Sequence, residues 1–160
     1  MTGRRRRRIP PLRGGVYLIP NLLTSAGLVA GFYSVRCTLN EEYQLAAAMI
    51  LLAQLCDVLD GRIARLTRST SSFGIQYDSL ADLVAFGVAP GILVYQWALR
   101  PWGQWGWLAA SLYVTCGALR LARFNVQIAS AEKRHFLGLP IPAAADVIAA
   151  TVLVFYWSGG

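Results

Sequence analysis

Apolar residues fill five long stretches of the chain, roughly 18–39, 43–65, 75–98, 104–122 and 139–157, and polar residues collect in the short links between them. Each stretch is close to the ~20 residues that an α-helix needs to cross a hydrocarbon layer. Backbone groups in lipid must find their hydrogen bonds within the protein, which leaves helices as the expected solution. The pattern predicts an all-α protein, a polytopic transmembrane helical bundle with five spans visible. The links are too short for a soluble domain. The expected organisation is a basic segment at 1–17 followed by one membrane domain at 18–160, with no internal repeat.

Composition supports this reading: 56% of the 160 residues are hydrophobic and only 14% are charged. That balance is too apolar for an ordinary soluble domain of this size. The charges carry topological information, because positive residues beside spans tend to stay cytoplasmic. Arg4–Arg8 and Arg13 precede the first span; Arg62, Arg65 and Arg68 follow the second; Arg120, Arg123, Lys133 and Arg134 follow the fourth. Alternating spans put all three clusters on one side, with Glu41, Glu42 and Arg100 on the other. This places the N-terminus on the cytoplasmic side, and Trp102, Trp105 and Trp107 mark an outer interfacial belt. The net charge of +7 is thereby explained without nucleic acid, and anionic headgroups become the expected partner of the basic tail. Cys37, Cys56 and Cys116 stand apart in apolar stretches and read as packing residues, and His135 is alone in a basic loop.

Four of the eight acidic residues break the apolar pattern. Asp57 and Asp60 sit in DVLDGRIAR, and Asp78 and Asp82 in GIQYDSLAD. An ionised carboxylate beside lipid is costly unless a cation or a polar cavity compensates it. At 3.6 residues per turn, Asp57, Asp60, Gly61 and Ala64 share one face of the second span, and Gly74, Asp78 and Asp82 share one face of the third. Antiparallel neighbours bring these faces together, so four carboxylates are expected to converge near the cytoplasmic boundary. An all-oxygen cluster suits a hard divalent cation: Mg²⁺, Mn²⁺ or Ca²⁺. Gly61 and Ala64 either permit close helix packing or leave room for a ligand. Arg62 and Arg65 serve either as topological charges or as partners for phosphate oxygens. A metal cluster beside arginines suggests a diphosphate substrate.

The string D-x-x-D-G-x-x-A-R, eight residues, then G-x-x-x-D-x-x-x-D, running from Asp57 to Asp82, resembles the signature of the CDP-alcohol phosphotransferase family, with every signature position present. The resemblance implies a transmembrane helical enzyme, commonly of six spans and a homodimer, whose metal site opens to the cytoplasm. It implies attack by a hydroxyl acceptor on a CDP-linked lipid or alcohol, with release of CMP. Carried over position by position, Asp57, Asp60 and Asp78 would be metal ligands. Asp82 would be the general base and a ligand to a second metal. Gly61, Ala64, Arg65 and Gly74 would line the CDP site.

The wider strings IPNLLTSAGLVAGFYS, FGIQYDSLADLVAFGVAPG, ALRLARFN and LGLPIPAAA are similar to the branch of that family that takes CDP-diacylglycerol as donor and L-serine as acceptor, in a prokaryotic cytoplasmic membrane. An archaeal ether-lipid analogue, and acceptors such as glycerol 3-phosphate or inositol phosphate, use the same chemistry. Asn21, Thr24 and Ser25 begin the first span, where they either cap its backbone or hydrogen-bond the cytidine. Arg120, Arg123 and Asn125 end the fourth span on the same side, where they serve topology or hold the acceptor. Asp146 stands where the resemblance implies a small apolar residue. A cation-coupled membrane transporter is the alternative of another class, but it would place acids near the midplane and break helices in repeated halves. Neither pattern occurs here.

Overall fold

The structure, a computed structural model, describes residues 18–67, 71–129 and 139–159, and every regular element among them is helical. The helices are α1 (Leu18–Leu39), α2 (Tyr43–Thr67), α3 (Ser72–Trp102), α4 (Gln104–Ala129) and α5 (Ile141–Trp157). Each predicted stretch falls on one of them. By length and composition α1, α2 and α3 can each cross a membrane, so the chain is a polytopic integral membrane protein. The apolar α5 has 17 residues, about 25 Å, slightly less than the ~30 Å hydrocarbon thickness. The fourth predicted stretch stops at 122, but α4 continues to Ala129, because a helix's own hydrogen bonds do not end where the apolar pattern ends. The basic residues Arg4–Arg8, Arg13, Arg68, Lys133 and Arg134, together with His135, lie outside the described residues.

Small side chains form the inner seams and large apolar ones face outward, the arrangement expected when lipid is the solvent. Ala30 and Cys37 of α1 and Ala46, Ala47, Ile50 and Ala53 of α2 are buried, whereas Val29 and Phe32 on the outer side are 66% and 69% exposed. Ser34 Oγ donates to the Ala46 carbonyl at 2.8 Å and ties the two helices together. The link between them is a tight C-terminal turn: Glu42 N–H bonds to Cys37 O at 2.9 Å and Glu41 N–H to Thr38 O at 3.0 Å. Glu41 occupies the left-handed position at φ 62°.

The third helix approaches α1 more closely than any side chain permits at one point. A Cβ on Gly31 would lie 2.6 Å from Ala85 Cα, so glycine is required there. Two stretches of α3, Leu83–Val88 and Tyr95–Leu99, are π-helical, and the helix ends in a 3₁₀ turn at Arg100–Trp102. Gly103, at φ 55°, then reverses the chain into α4. Arg100 and Glu41 approach to 4.0 Å at this end of the bundle, and Trp102, Trp105 and Trp107 are exposed beside the turn. Ile141, Ala145, Ala149 and Val152 form the buried stripe of α5, which packs mainly on α2. Pro142 sits in its first turn, where a missing N–H costs nothing.

Candidate active site

At the opposite end α1 begins, α2 ends and α3 begins, and this is where the acidic residues meet. Asp57, Asp60 and Asp78 each present a carboxylate oxygen, and the three oxygens lie within 4.8 Å of one another. The helical spacing read from sequence accounts for the meeting: a three-residue step keeps Asp57 and Asp60 on one face of α2, and the first turns of α3 present Asp78 to it. Asp82, one turn further along α3, lines the same small cavity of ≈ 10 Å³, outside that trio. Asp60 is buried, at 4% exposure. The hydroxyl of Thr24 donates to its Oδ2 at 2.7 Å and lies 3.0 Å from the Pro20 carbonyl.

The oxygen set fits a hard divalent cation. With bonds of ~2.1 Å for Mg²⁺ or ~2.4 Å for Ca²⁺, oxygens on opposite sides of one ion stand ~4.2–4.8 Å apart. Three hard anionic donors without sulfur or imidazole match the same class.

A second cavity of ≈ 380 Å³ shares Thr24, Asp60 and Asp78 with the first. Its wall brings together Asn21, Gly61, Ala64, Arg65 and Gly74, all singled out from the sequence. Gly61 leaves open space, since a Cβ there would meet only Arg65 Nη2 at 3.9 Å. Arg65 Nε donates to Gly61 O at 2.9 Å, which lays the guanidinium along the cavity rim. Ser71 caps the N-terminus of α3 by accepting from Gly74 N–H at 2.9 Å. The volume suits a nucleotide-sized ligand.

Other expected residues lie apart. Arg62 is exposed and does not border the cavity, because one residue past Gly61 it lies about 100° further around α2, beyond the face that carries Asp60, Gly61 and Ala64. Ser25 donates to Asn21 O at 2.7 Å and contacts the Tyr77 hydroxyl at 2.8 Å, so its polar capacity is used between α1 and α3. Arg123 is exposed and Arg120 half-buried, and neither borders either cavity. Asn125 Nδ2 donates to Ser79 Oγ at 3.0 Å and lines a separate groove of ≈ 490 Å³ between α3 and α4. Among residues that sequence patterning did not mark, Ser71, Phe124 and Tyr77 belong to this region. A serine three residues before an unpaired helical N–H is a readable capping signal. Phe124 had no such signal, since an aromatic in an apolar helix could equally face lipid.

A helical membrane protein with an acidic cluster beneath a nucleotide-sized cavity is the class that fold and site define. The CDP-alcohol phosphatidyltransferase family model matches residues 17–159, and the chain belongs to that family. It is 42% identical over 139 residues to a CDP-diacylglycerol–serine O-phosphatidyltransferase of Helicobacter pylori strain J99, covering 87% of this chain and 59% of that one. It is 39% identical over 142 residues to an archaetidylserine synthase of Methanothermobacter thermautotrophicus, covering 88% and 60%. A Bacillus subtilis CDP-diacylglycerol–serine O-phosphatidyltransferase is 36% identical over 126 residues, covering 79% and 70%. The chain thus spans about six tenths of the length of the first two relatives. The family generally uses a divalent metal, and the aspartate trio is a group that could hold one.

Proposed function

We propose that the protein transfers the phosphatidyl group of CDP-diacylglycerol to the hydroxyl of L-serine, forming phosphatidylserine and releasing CMP. The observation that carries this reading is the meeting of Asp57, Asp60 and Asp78, with Asp60 and Asp78 also in the wall of the ≈ 380 Å³ cavity beside Arg65, Gly61 and Gly74. The names of the relatives support serine as acceptor.

Residues 18–160 form the catalytic membrane domain in this reading, and the basic segment 1–17 lies against anionic lipid headgroups on the cytoplasmic side. The active site opens to the cytoplasm of a prokaryotic membrane, and the protein works as a homodimer. Asn21, Gly61, Ala64, Arg65 and Gly74 hold the CDP moiety, with Arg62 and Ser25 contributing charge and orientation from nearby. Thr24 fixes Asp60. Mg²⁺ or Mn²⁺ bound by Asp57, Asp60 and Asp78, with Asp82 able to join a second ion, would neutralise the diphosphate and stabilise charge on the departing CMP.

The serine hydroxyl oxygen bonds to the phosphorus that carries diacylglycerol while the bond from that phosphorus to the CMP oxygen breaks. CMP leaves with the electron pair, and Asp82 accepts the hydroxyl proton. Arg120, Arg123 and Asn125 attract and orient the serine carboxylate from the end of α4.

An acceptor panel tests the assignment. Purified protein with CDP-diacylglycerol should release CMP with L-serine and not with glycerol 3-phosphate or inositol 1-phosphate, and the reverse preference would overturn the serine assignment. The archaetidylserine synthase relative makes an ether-lipid donor the second reading. CDP-archaeol belongs in the same panel, and faster turnover with it than with the acyl donor would favour that reading.

A further inference from the structure

Immediately after Asp82, α3 departs from α-helical geometry. The stretch Leu83–Val88 is π-helical, and the N–H of Ala89 bonds to the Val84 carbonyl five residues back. Each residue added in such a turn rotates the upstream half of the helix against the downstream half by about 100°, one residue's share of a turn. The direction in which Asp82 and Asp78 point is thus set relative to the lower half of α3 by this single turn.

The lower half is firmly held. Ala89, Pro90, Gly91 and Leu93 are all buried. A Cβ on Gly91 would lie 2.8 Å from Val114 Cγ2 of α4, while the π turn itself meets α1 where Gly31 faces Ala85. Just past the π turn, where α-helical geometry resumes at Ala89, the sequence removes a donor: in the α register the Phe86 carbonyl would accept from the N–H of residue 90, and Pro90 has none. The hydroxyl of Tyr113, reaching across from α4, donates to Phe86 O at 2.8 Å. Phe86 itself is 1% exposed and lines the small cavity with the four aspartates. A neighbouring helix supplies the bond that proline withholds, as buried backbone in a membrane requires.

We propose that Tyr113 is a positioning residue for catalysis: its hydroxyl, standing in for the donor that Pro90 lacks, locks the π turn after Asp82 and so fixes the bearing of the Asp82 carboxylate. The inference rests on the reading of Asp82 as the general base. Tyr113 borders neither cavity of the site, and its effect passes through the Phe86 carbonyl.

The test is a double-mutant cycle in the full chain, with serine-dependent CMP release as the readout. Tyr113→Phe keeps the ring and removes only the hydroxyl. Its kcat should fall about tenfold, in the range expected for a displaced catalytic group, with KM for CDP-diacylglycerol changed less than about twofold. In an Asp82→Asn background the same substitution should change kcat by less than about twofold, since residues that act through one another are not additive. An equal loss in both backgrounds would mean a general loosening of the bundle and would overturn the proposal, as would an unchanged kcat for Tyr113→Phe. Full activity of Asp82→Asn alone would withdraw the base assignment, and this inference with it, on a separate measurement.

Discussion

Thr24 of α1 donates its hydroxyl proton to Asp60 Oδ2 of α2 at 2.7 Å, with both residues buried. The bond joins two helices at the floor of the cavity and leaves Asp60 one fixed orientation toward Asp57 and Asp78. Partners that orient a metal-binding carboxylate are commonly worth 10–100-fold in metal affinity or activity. Thr24→Val, nearly the same shape without the donor, should raise the Mn²⁺ concentration for half-maximal activity by about tenfold. Thr24→Ser should remain near wild type. Metal titration of activity decides, and an unchanged half-saturation point in Thr24→Val would make the contact a helix-packing detail.

The aspartate trio should behave as a unit. Asp57→Asn, Asp60→Asn and Asp78→Asn should each lower turnover by ~100-fold or more, because charge stabilisation at a reacting phosphoryl group contributes several kcal/mol. EDTA should abolish activity, and added Mn²⁺ or Mg²⁺ should restore it. Dialysis into metal-free buffer followed by rate measurement checks the point, and full activity there would remove metal assistance from the account.

Asp82 lines the cavity outside the trio, and its expected role differs accordingly. Asp82→Asn should reduce kcat by roughly 10²- to 10⁴-fold while leaving CDP-diacylglycerol binding largely intact. Calorimetry on the variant separates the roles. Loss of nucleotide and metal binding together would make Asp82 a ligand and leave the base unassigned.

Two glycines should respond in opposite ways. At Gly31 a methyl group meets Ala85 at 2.6–2.8 Å, whereas at Gly61 it meets only the flexible end of Arg65 at 3.9 Å. Gly31→Ala should destabilise the bundle by about 1–3 kcal/mol, the usual cost of overpacking. Gly61→Ala should leave the thermal midpoint unchanged and raise KM for CDP-diacylglycerol about tenfold, as expected when a methyl intrudes on a ligand's space. Thermal unfolding in detergent paired with kinetics checks both expectations. An unchanged KM in Gly61→Ala would take Gly61 out of the donor site.

Helical periodicity made much of this visible in advance. Asp57 and Asp60 share a face because of their spacing, and the same holds for Gly74 and Asp78, so their convergence needed only that α2 and α3 be neighbours. Legibility failed where the outcome depends on what a side chain meets across the bundle. Thr24 and Ser25 are adjacent and chemically alike, yet one donates to Asp60 and the other is occupied between Asn21 and Tyr77. By charge and position Arg62 and Arg65 are alike, and of the two it is Arg65, the one the family resemblance implies, that borders the cavity. Asn125 has the chemistry for an acceptor site, but its bond to Ser79 across α3 and α4 has no trace in the spacing of either helix. The π turn after Asp82 had a local trace in Pro90, but its partner Tyr113 is distant in sequence and belongs to another helix. Periodicity reports faces, and these pairings arise from tertiary contact.

Incorporation of radiolabelled L-serine tests the central claim most directly. Purified protein with CDP-diacylglycerol and Mn²⁺ or Mg²⁺ should convert the label to a lipid that partitions into organic solvent, one CMP being released for each serine incorporated, and EDTA or Asp78→Asn should stop both together. CMP release without labelled lipid, or labelled lipid formed at full rate by Asp78→Asn, would contradict the account.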